Sequence, residues 1–145
     1  MQDLNFPAYQ FQLNRVEDKH YIFDPIRKKW VVLTPEEWVR QHLILFLVQT
    51  KKYPASLLAV ERLITFNKLK KRFDLLLFNK TGKPEMLIEC KAPEVSLSKE
   101  TLFQIATYNM VFKVPYLFIS NGLSHLLFQL NEEGNYVRTQ EMPLI

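Results

Sequence analysis

The sequence predicts an α/β domain built on a mixed β-sheet, and three observations carry that prediction. Of its 145 residues 48% are apolar, enough for one substantial core. Two segments combine helix start signals with helical periodicity, whereas the segments between and after them read as strands. Their order, helix, strands, helix, strands, fits helices laid against a sheet of parallel and antiparallel pairs.

Residues 1–33 read as an N-terminal extension, polar at first and then a hairpin, YIFDPIRKKWVVL, turned at Asp24-Pro25. Thr34 is a good N-cap, Pro35 suits the first helical position and Glu37 completes a capping box. A helix is therefore expected from there to about Lys51, apolar enough to be buried on more than one side. SLLAVERLITF reads as a strand and NKLKKR as a basic loop. FDLLLFN and EMLIECK read as two strands parted by the turn KTGKP. SKETLFQIATYNMVFK has Ser98 as the N-cap of a second helix. PYLFISNG and HLLFQLNEEGNYVR supply two or three further strands, the last pair turned at Glu133-Gly134-Asn135. With three glycines, no repeat and no shift in composition, the whole of 1–145 is expected to form a single domain.

Composition narrows the function classes. A net charge of +4 is compatible with a polyanionic partner. The one cysteine, Cys90, excludes an internal disulfide and points to a reducing, cytoplasmic setting. MQDLNFPAYQ lacks the basic start and apolar core of a signal peptide. The apolar run from His42 to Thr50 is about half the roughly 18–20 residues that a membrane span needs, so no membrane partner is expected.

The charges at the end of LIECK carry the chemistry. If the hairpin is centred between Thr81 and Gly82, Phe73 faces Cys90, Leu75 faces Ile88 and Leu77 faces Met86, which makes one face wholly apolar. The other face pairs Phe78 with Glu85, Leu76 with Leu87, Asp74 with Glu89 and Arg72 with Lys91, so it turns polar at one end only. Two opposed carboxylates repel unless a cation lies beside them. Lys91 can supply part of that charge and a divalent metal the rest. A few oxygen ligands with room left for water suit Mg²⁺, which lowers the pKa of a bound water. A lysine beside that water fits hydrolysis of a phosphodiester.

Asp74, fourteen residues, then Glu89-Cys90-Lys91 is the D-(x)n-E-x-K pattern of the PD-(D/E)xK nucleases, and the two halves lie on consecutive apolar strands. Gln104 and Tyr108, on one face of the following helix, match the Q-x-x-x-Y signature of RecB-like nucleases. TPEEWVRQHL, YPASLLAVE, RFDLLLF, LIECKAP, QIATYN and PYLFISNG together resemble the N-terminal nuclease domain of type I restriction enzyme R subunits, in its short stand-alone form, over roughly Asp24 to Leu130. The resemblance implies a restriction-endonuclease-like core, with a central mixed sheet of four or more strands flanked by helices. It also implies DNA cleavage dependent on Mg²⁺, with Mn²⁺ as a substitute.

Carried over by that resemblance, Asp74, Glu89 and the main-chain carbonyl of Cys90 would bind metal. Lys91 would position water, Gln104 and Tyr108 would hold the site and the DNA backbone, and Glu37 matches an acid on the family's first helix. Nothing matches the phosphate loop of the ATP-driven translocase that R subunits carry, so separate motor or modification subunits are the expected partners. A double-strand break would favour a homodimer. The competing reading is a non-catalytic DNA-binding or assembly module that keeps the fold.

The remaining polar residues read more plainly. Lys68, Lys70, Lys71 and Arg72, with Lys51-Lys52 and Arg27 to Lys29, would track phosphates, and affinity would then fall steeply with salt. Arg40 would pair with an acid or a phosphate, and Glu61 would face solvent. His20, His42 and His125 lack metal-ligand spacing, and Cys90 reads as a small buried residue.

Overall fold

The computed structural model describes residues 1–145. Its chain order is β1 (Leu13–Val16), β2 (Lys19–Asp24), β3 (Lys29–Val32), α1 (Pro35–Leu45), β4 (Leu58–Phe66), β5 (Leu69–Phe78), β6 (Pro84–Cys90), α2 (Lys99–Met110), β7 (Tyr116–Ser120), β8 (His125–Leu130) and β9 (Tyr136–Thr139). The strands form a small antiparallel sheet, β1-β2-β3, and a six-stranded mixed sheet, β4-β5-β6-β7-β8-β9. Only β6 and β7 run parallel, joined by α2, and every other neighbouring pair in the large sheet is antiparallel. The expected α/β architecture is therefore present.

Several boundaries differ from the sequence reading. The N-terminal hairpin gains β1, whose four residues are all exposed, so no apolar alternation marks it. At the β2-β3 turn the Asp24 carboxylate accepts hydrogen bonds from the main-chain N–H groups of Ile26 (2.7 Å) and Arg27 (2.8 Å), which fixes the turn before Pro25 can matter. The Thr34 hydroxyl accepts from the Glu37 N–H at 3.0 Å, satisfying one of the free donors of the first turn. The helix runs to Thr50, close to the expected Lys51, but only α1 up to Leu45 is α-helical, and the chain widens into a π-helical turn over Phe46–Thr50. NKLKKR is not a loop. Asn67 and Lys68, with φ of 48° and 68°, make a two-residue hairpin turn, and Lys70, Lys71 and Arg72 belong to β5.

From Val114 to Asn131 the sequence carries no Lys, Arg, Asp or Glu, a longer uncharged run than His42 to Thr50. The structure divides it between β7, a turn and β8, and no helix is long and apolar enough to cross a membrane.

The core lies on both faces of the large sheet. On one, Val39, Leu43, Ile44 and Leu47 of α1 and the turn after it pack on Leu75, Leu77, Met86 and Ile88. Each fully buried aliphatic side chain there contributes roughly 1.5–3 kcal/mol of transfer free energy. On the other, Leu102, Ile105 and Ala106 of α2 pack against Leu76, Leu87, Leu117 and Ile119. α1 is covered on its outer side as well, where Phe6 and Phe11 contact Trp38 and His42. This explains a helix whose residues from Val39 to Ile44 are all buried.

Leu75 pairs with Ile88, Leu76 with Leu87 and Leu77 with Met86, the register expected from the sequence. A bulge next to the turn moves Phe78 opposite Pro84 instead of Glu85. At the other end the β5-β6 ladder stops at Leu75 and Ile88. Beyond that point β5 continues with β4, and β6 continues with β7 as far as Cys90 and Ser120. The sheet therefore forks at Asp74 and Glu89.

Candidate functional site at the sheet fork

The fork coincides with a break in side-chain alternation. Leu75 and Leu77 face α1 as the period of two requires, but Asp74 also turns toward α1, and Phe73 lies on the α2 face with Leu76. The matching residue of β4, Glu61, has φ of 51°, a conformation that side chains disfavour, and its carboxylate likewise turns toward the arginines beside α1. β6 keeps strict alternation, so Glu89 stays on the α2 face with Leu87. The expectation that Asp74 and Glu89 face each other, and Phe73 and Cys90 likewise, is corrected: the paired strands have separated by then. Asp74 Oδ2 instead accepts a hydrogen bond from the Cys90 N–H at 2.7 Å, a side chain bridging the gap where a main-chain bond would have been.

On the α1 side, spacings of three and four along the helix bring Glu36, Glu37, Arg40 and Gln41 together. The Arg40 guanidinium lies 2.7 Å from Glu37, 2.9 Å from Glu36, 3.4 Å from Asp74 and 4.0 Å from Glu61. Arg27, from the β2-β3 turn, reaches Asp24 at 2.6 Å, Glu37 at 2.9 Å and Glu61 at 3.4 Å. Five carboxylates thus share two guanidiniums, which concentrates negative charge at one place in a chain that is basic as a whole. This crowding shifts the proton affinities of the groups involved. Burial, and then the neighbouring Asp74, pushes the Glu36 carboxyl above the usual range. Burial works against the Arg40 charge, yet the acids around it, Glu37 foremost, hold its pKa above the ordinary arginine value.

The α2 side is built differently. Lys71 crosses the fork to bind the Glu89 carboxylate and donates to Asn109 Oδ1 at 3.0 Å. Its ammonium lies 4.9 Å from the ring centre of Phe73 and 4.8 Å from that of Tyr108. Burial raises the Glu89 carboxyl above its ordinary value. Lys71 opposes that shift and Asp74 adds to it. Lys91 lies within electrostatic reach of both sides, since its charge lowers the pKa of Glu36 and of Glu89, but it forms none of the chain's ion pairs.

The structure therefore brings Asp74, Glu89, Cys90 and Lys91 to one fork, with Glu37 and Arg40 on its α1 side and Tyr108 on its α2 side. Glu37 is not the reciprocal half of a capping box, because its carboxylate goes to Arg27, Arg40 and Gln41. Arg40 is 5% exposed and committed to acids, so it presents no free charge to a phosphate. Gln104 is exposed on α2 and joins no hydrogen bond of the fork. Lys68, Lys70 and Arg72 are exposed, whereas Lys71 turns inward. Glu61 faces Arg27 and Arg40 and only partly faces solvent.

Sequence reasoning missed Asp24, Glu36, the inward role of Lys71, and Asn109, and it gave to phosphates an Arg27 that the structure commits to Asp24, Glu37 and Glu61. Glu36 was legible from its spacing of four to Arg40. Asn109 follows Tyr108 directly, but its burial depends on the fold. Nothing local links Arg27 to Glu37.

The donor set suits a hard cation: carboxylate oxygens and a main-chain carbonyl, amid uncompensated negative charge. No three acidic, histidine or cysteine side chains converge into a closed cage, and Mg²⁺ needs none, because it keeps several waters. A cavity of about 570 Å³ is lined by Lys51–Pro54 and Gln140–Ile145 and does not include the fork.

Residues 35–143 match the family model described as the type I restriction enzyme R protein N terminus. No curated protein and no solved structure gives a significant match.

Proposed function

The chain belongs to the family of type I restriction enzyme R protein N-terminal domains, and from that premise we propose that it hydrolyses phosphodiester bonds of DNA with the help of Mg²⁺. The observation that carries this reading is the fork itself, where the strands part so that Asp74 on the α1 side, Glu89 on the α2 side and an unpaired Lys91 lie within electrostatic reach of one another. Five acids around two arginines leave an excess of negative charge there, which suits a bound cation.

In this reading Asp74, Glu89 and the Cys90 carbonyl hold the metal, which when bound lowers the pKa of a water and stabilises negative charge on the phosphoryl oxygens. Lys91 orients the attacking water and offers its ammonium to the charge that builds on the phosphate. Arg40 and Arg27 fix Glu37 and the α1 end, so that Asp74 is held at one orientation by Arg40 and by the Cys90 N–H. The exposed Lys68, Lys70 and Arg72 attract the DNA backbone. In restriction systems of this family, separate motor or modification subunits would bring DNA to the site, and a homodimer would cut both strands.

One observation favours a second reading, a DNA-binding module without catalysis: both metal-binding acids are already paired, Asp74 with Arg40 and Glu89 with Lys71. Asp74→Asn separates the two. The amide oxygen can still accept from Cys90 N–H, so the fold is kept and the charge is lost. Cleavage of duplex DNA in Mg²⁺ is expected to fall by about 100-fold or more, since altering even residues behind a metal ligand costs about 10–100-fold. Wild-type cleavage that survives the substitution contradicts the metal role of Asp74. Equal DNA binding by both proteins with cleavage by neither leaves the binding module.

A further inference from the structure

We propose that Lys71 is a built-in counter-ion that competes with the divalent metal for Glu89 and sets how readily the site loads. The inference rests on the proposed metal-dependent reading and adds to it a residue that the D-(x)n-E-x-K pattern does not contain.

Lys71 is held far more closely than a surface lysine. Its side chain is 19% exposed, and its ammonium has two oxygen partners, Glu89 and Asn109, and two aromatic faces, Phe73 and Tyr108. Asn109 is fully buried and is itself fixed by donating to the Ile105 carbonyl at 2.9 Å, so the acceptor beside Glu89 is anchored to α2. The stem lies where β5 has already left β6, and the ammonium spans the fork. It therefore holds one oxygen, Oε1, of the carboxylate that would bind metal, and sets a positive charge beside it. A cation in contact with a carboxylate changes its proton affinity by about 1–3 decades. Competition with another cation is of the same order.

Metal loading then works against this ammonium, and the group it would displace is a lysine beside the place where a DNA phosphate would lie. A phosphate that takes up this ammonium makes Glu89 available, so substrate and metal favour each other's binding. Tyr108 has a defined part as well, since its ring supports the ammonium beside Glu89.

The test is calorimetric titration of Mg²⁺ into the purified chain and into two variants, with thermal melting to confirm folding. Lys71→Met keeps the length and the apolar stem between Phe73 and Tyr108 but removes the charge. It is expected to bind Mg²⁺ about tenfold tighter than the wild type or better. Lys71→Arg keeps the charge and is expected to stay near the wild type, so that tighter binding in Lys71→Met alone is the outcome that a merely structural role would not give. Unchanged or weaker affinity in Lys71→Met overturns the competition while leaving the metal site standing. Absence of Mg²⁺ binding in all three proteins overturns the competition and the metal reading together.

Discussion

Replacing Lys91 with alanine is expected to lower Mg²⁺-dependent DNA cleavage by about 10²–10⁴-fold, the range contributed by a positioned proton-transfer group. The side chain forms no ion pair within the chain, whereas its main-chain N–H is tied to the Ser120 carbonyl at 2.9 Å. The backbone therefore holds position 91 at the end of β6 whatever the side chain, and melting is expected to shift by no more than a few degrees. Mg²⁺ affinity, read by calorimetry, is expected to rise slightly or stay unchanged, because Lys91 contributes charge near Glu36 and Glu89 without being a ligand. Cleavage at the wild-type rate would remove the lysine from the chemistry. A large fall in melting temperature would instead make it a structural residue.

The second large effect concerns stability. Asp24 is fully buried and accepts from Ile26 N–H, Arg27 N–H, the Arg27 guanidinium and the Gln41 amide. Asp24→Asn removes the charge facing Arg27 and is expected to cost roughly 3–5 kcal/mol, the usual penalty for breaking a buried ion pair. In a chain of this size that lowers the melting temperature by about 10 °C. The sign of the pH dependence follows. Burial raises the Asp24 carboxyl, but the hydrogen bonds and charge of Arg27, with the Gln41 amide, outweigh it and hold the pKa below the ordinary value. The stabilisation is fully present above the unfolded pKa of about 3.9 and is lost as the pH falls through the lower folded value. Acid titration of unfolding should therefore show a smaller loss below about pH 4 in Asp24→Asn than in the wild type. Parallel acid profiles in the two proteins would contradict this role for Asp24.

How legible the site was can be traced residue by residue. The β5-β6 register at Leu75, Leu76 and Leu77 was readable because apolar alternation and the turn at Gly82 act together. The helix starts at Thr34 and Ser98 were readable because each hydroxyl satisfies a nearby N–H. The orientation of Asp74 was not, since the break in alternation arises where the sheet forks, and no residue type announces a fork. Lys71 looked like one more charge in a basic run. Alternation puts it on the Phe73 side of β5, away from Lys70 and Arg72, but only the position of Asn109 on α2 shows that this side is covered there. The Arg27 and Arg40 networks were hidden for a similar reason, because they join residues from the small sheet, α1, β4 and β5.

The measurement that bears most directly on the central claim is incubation of supercoiled plasmid with the purified wild-type chain in Mg²⁺ and, in parallel, in EDTA. Conversion to nicked or linear DNA in Mg²⁺ alone is the expected result, and it would assign the fork as the catalytic centre of a metal-dependent nuclease once Asp74→Asn is inactive beside it. Plasmid that stays supercoiled in Mg²⁺ and in Mn²⁺, with no metal bound by calorimetry, would contradict it and leave the chain a DNA-binding module on a nuclease fold.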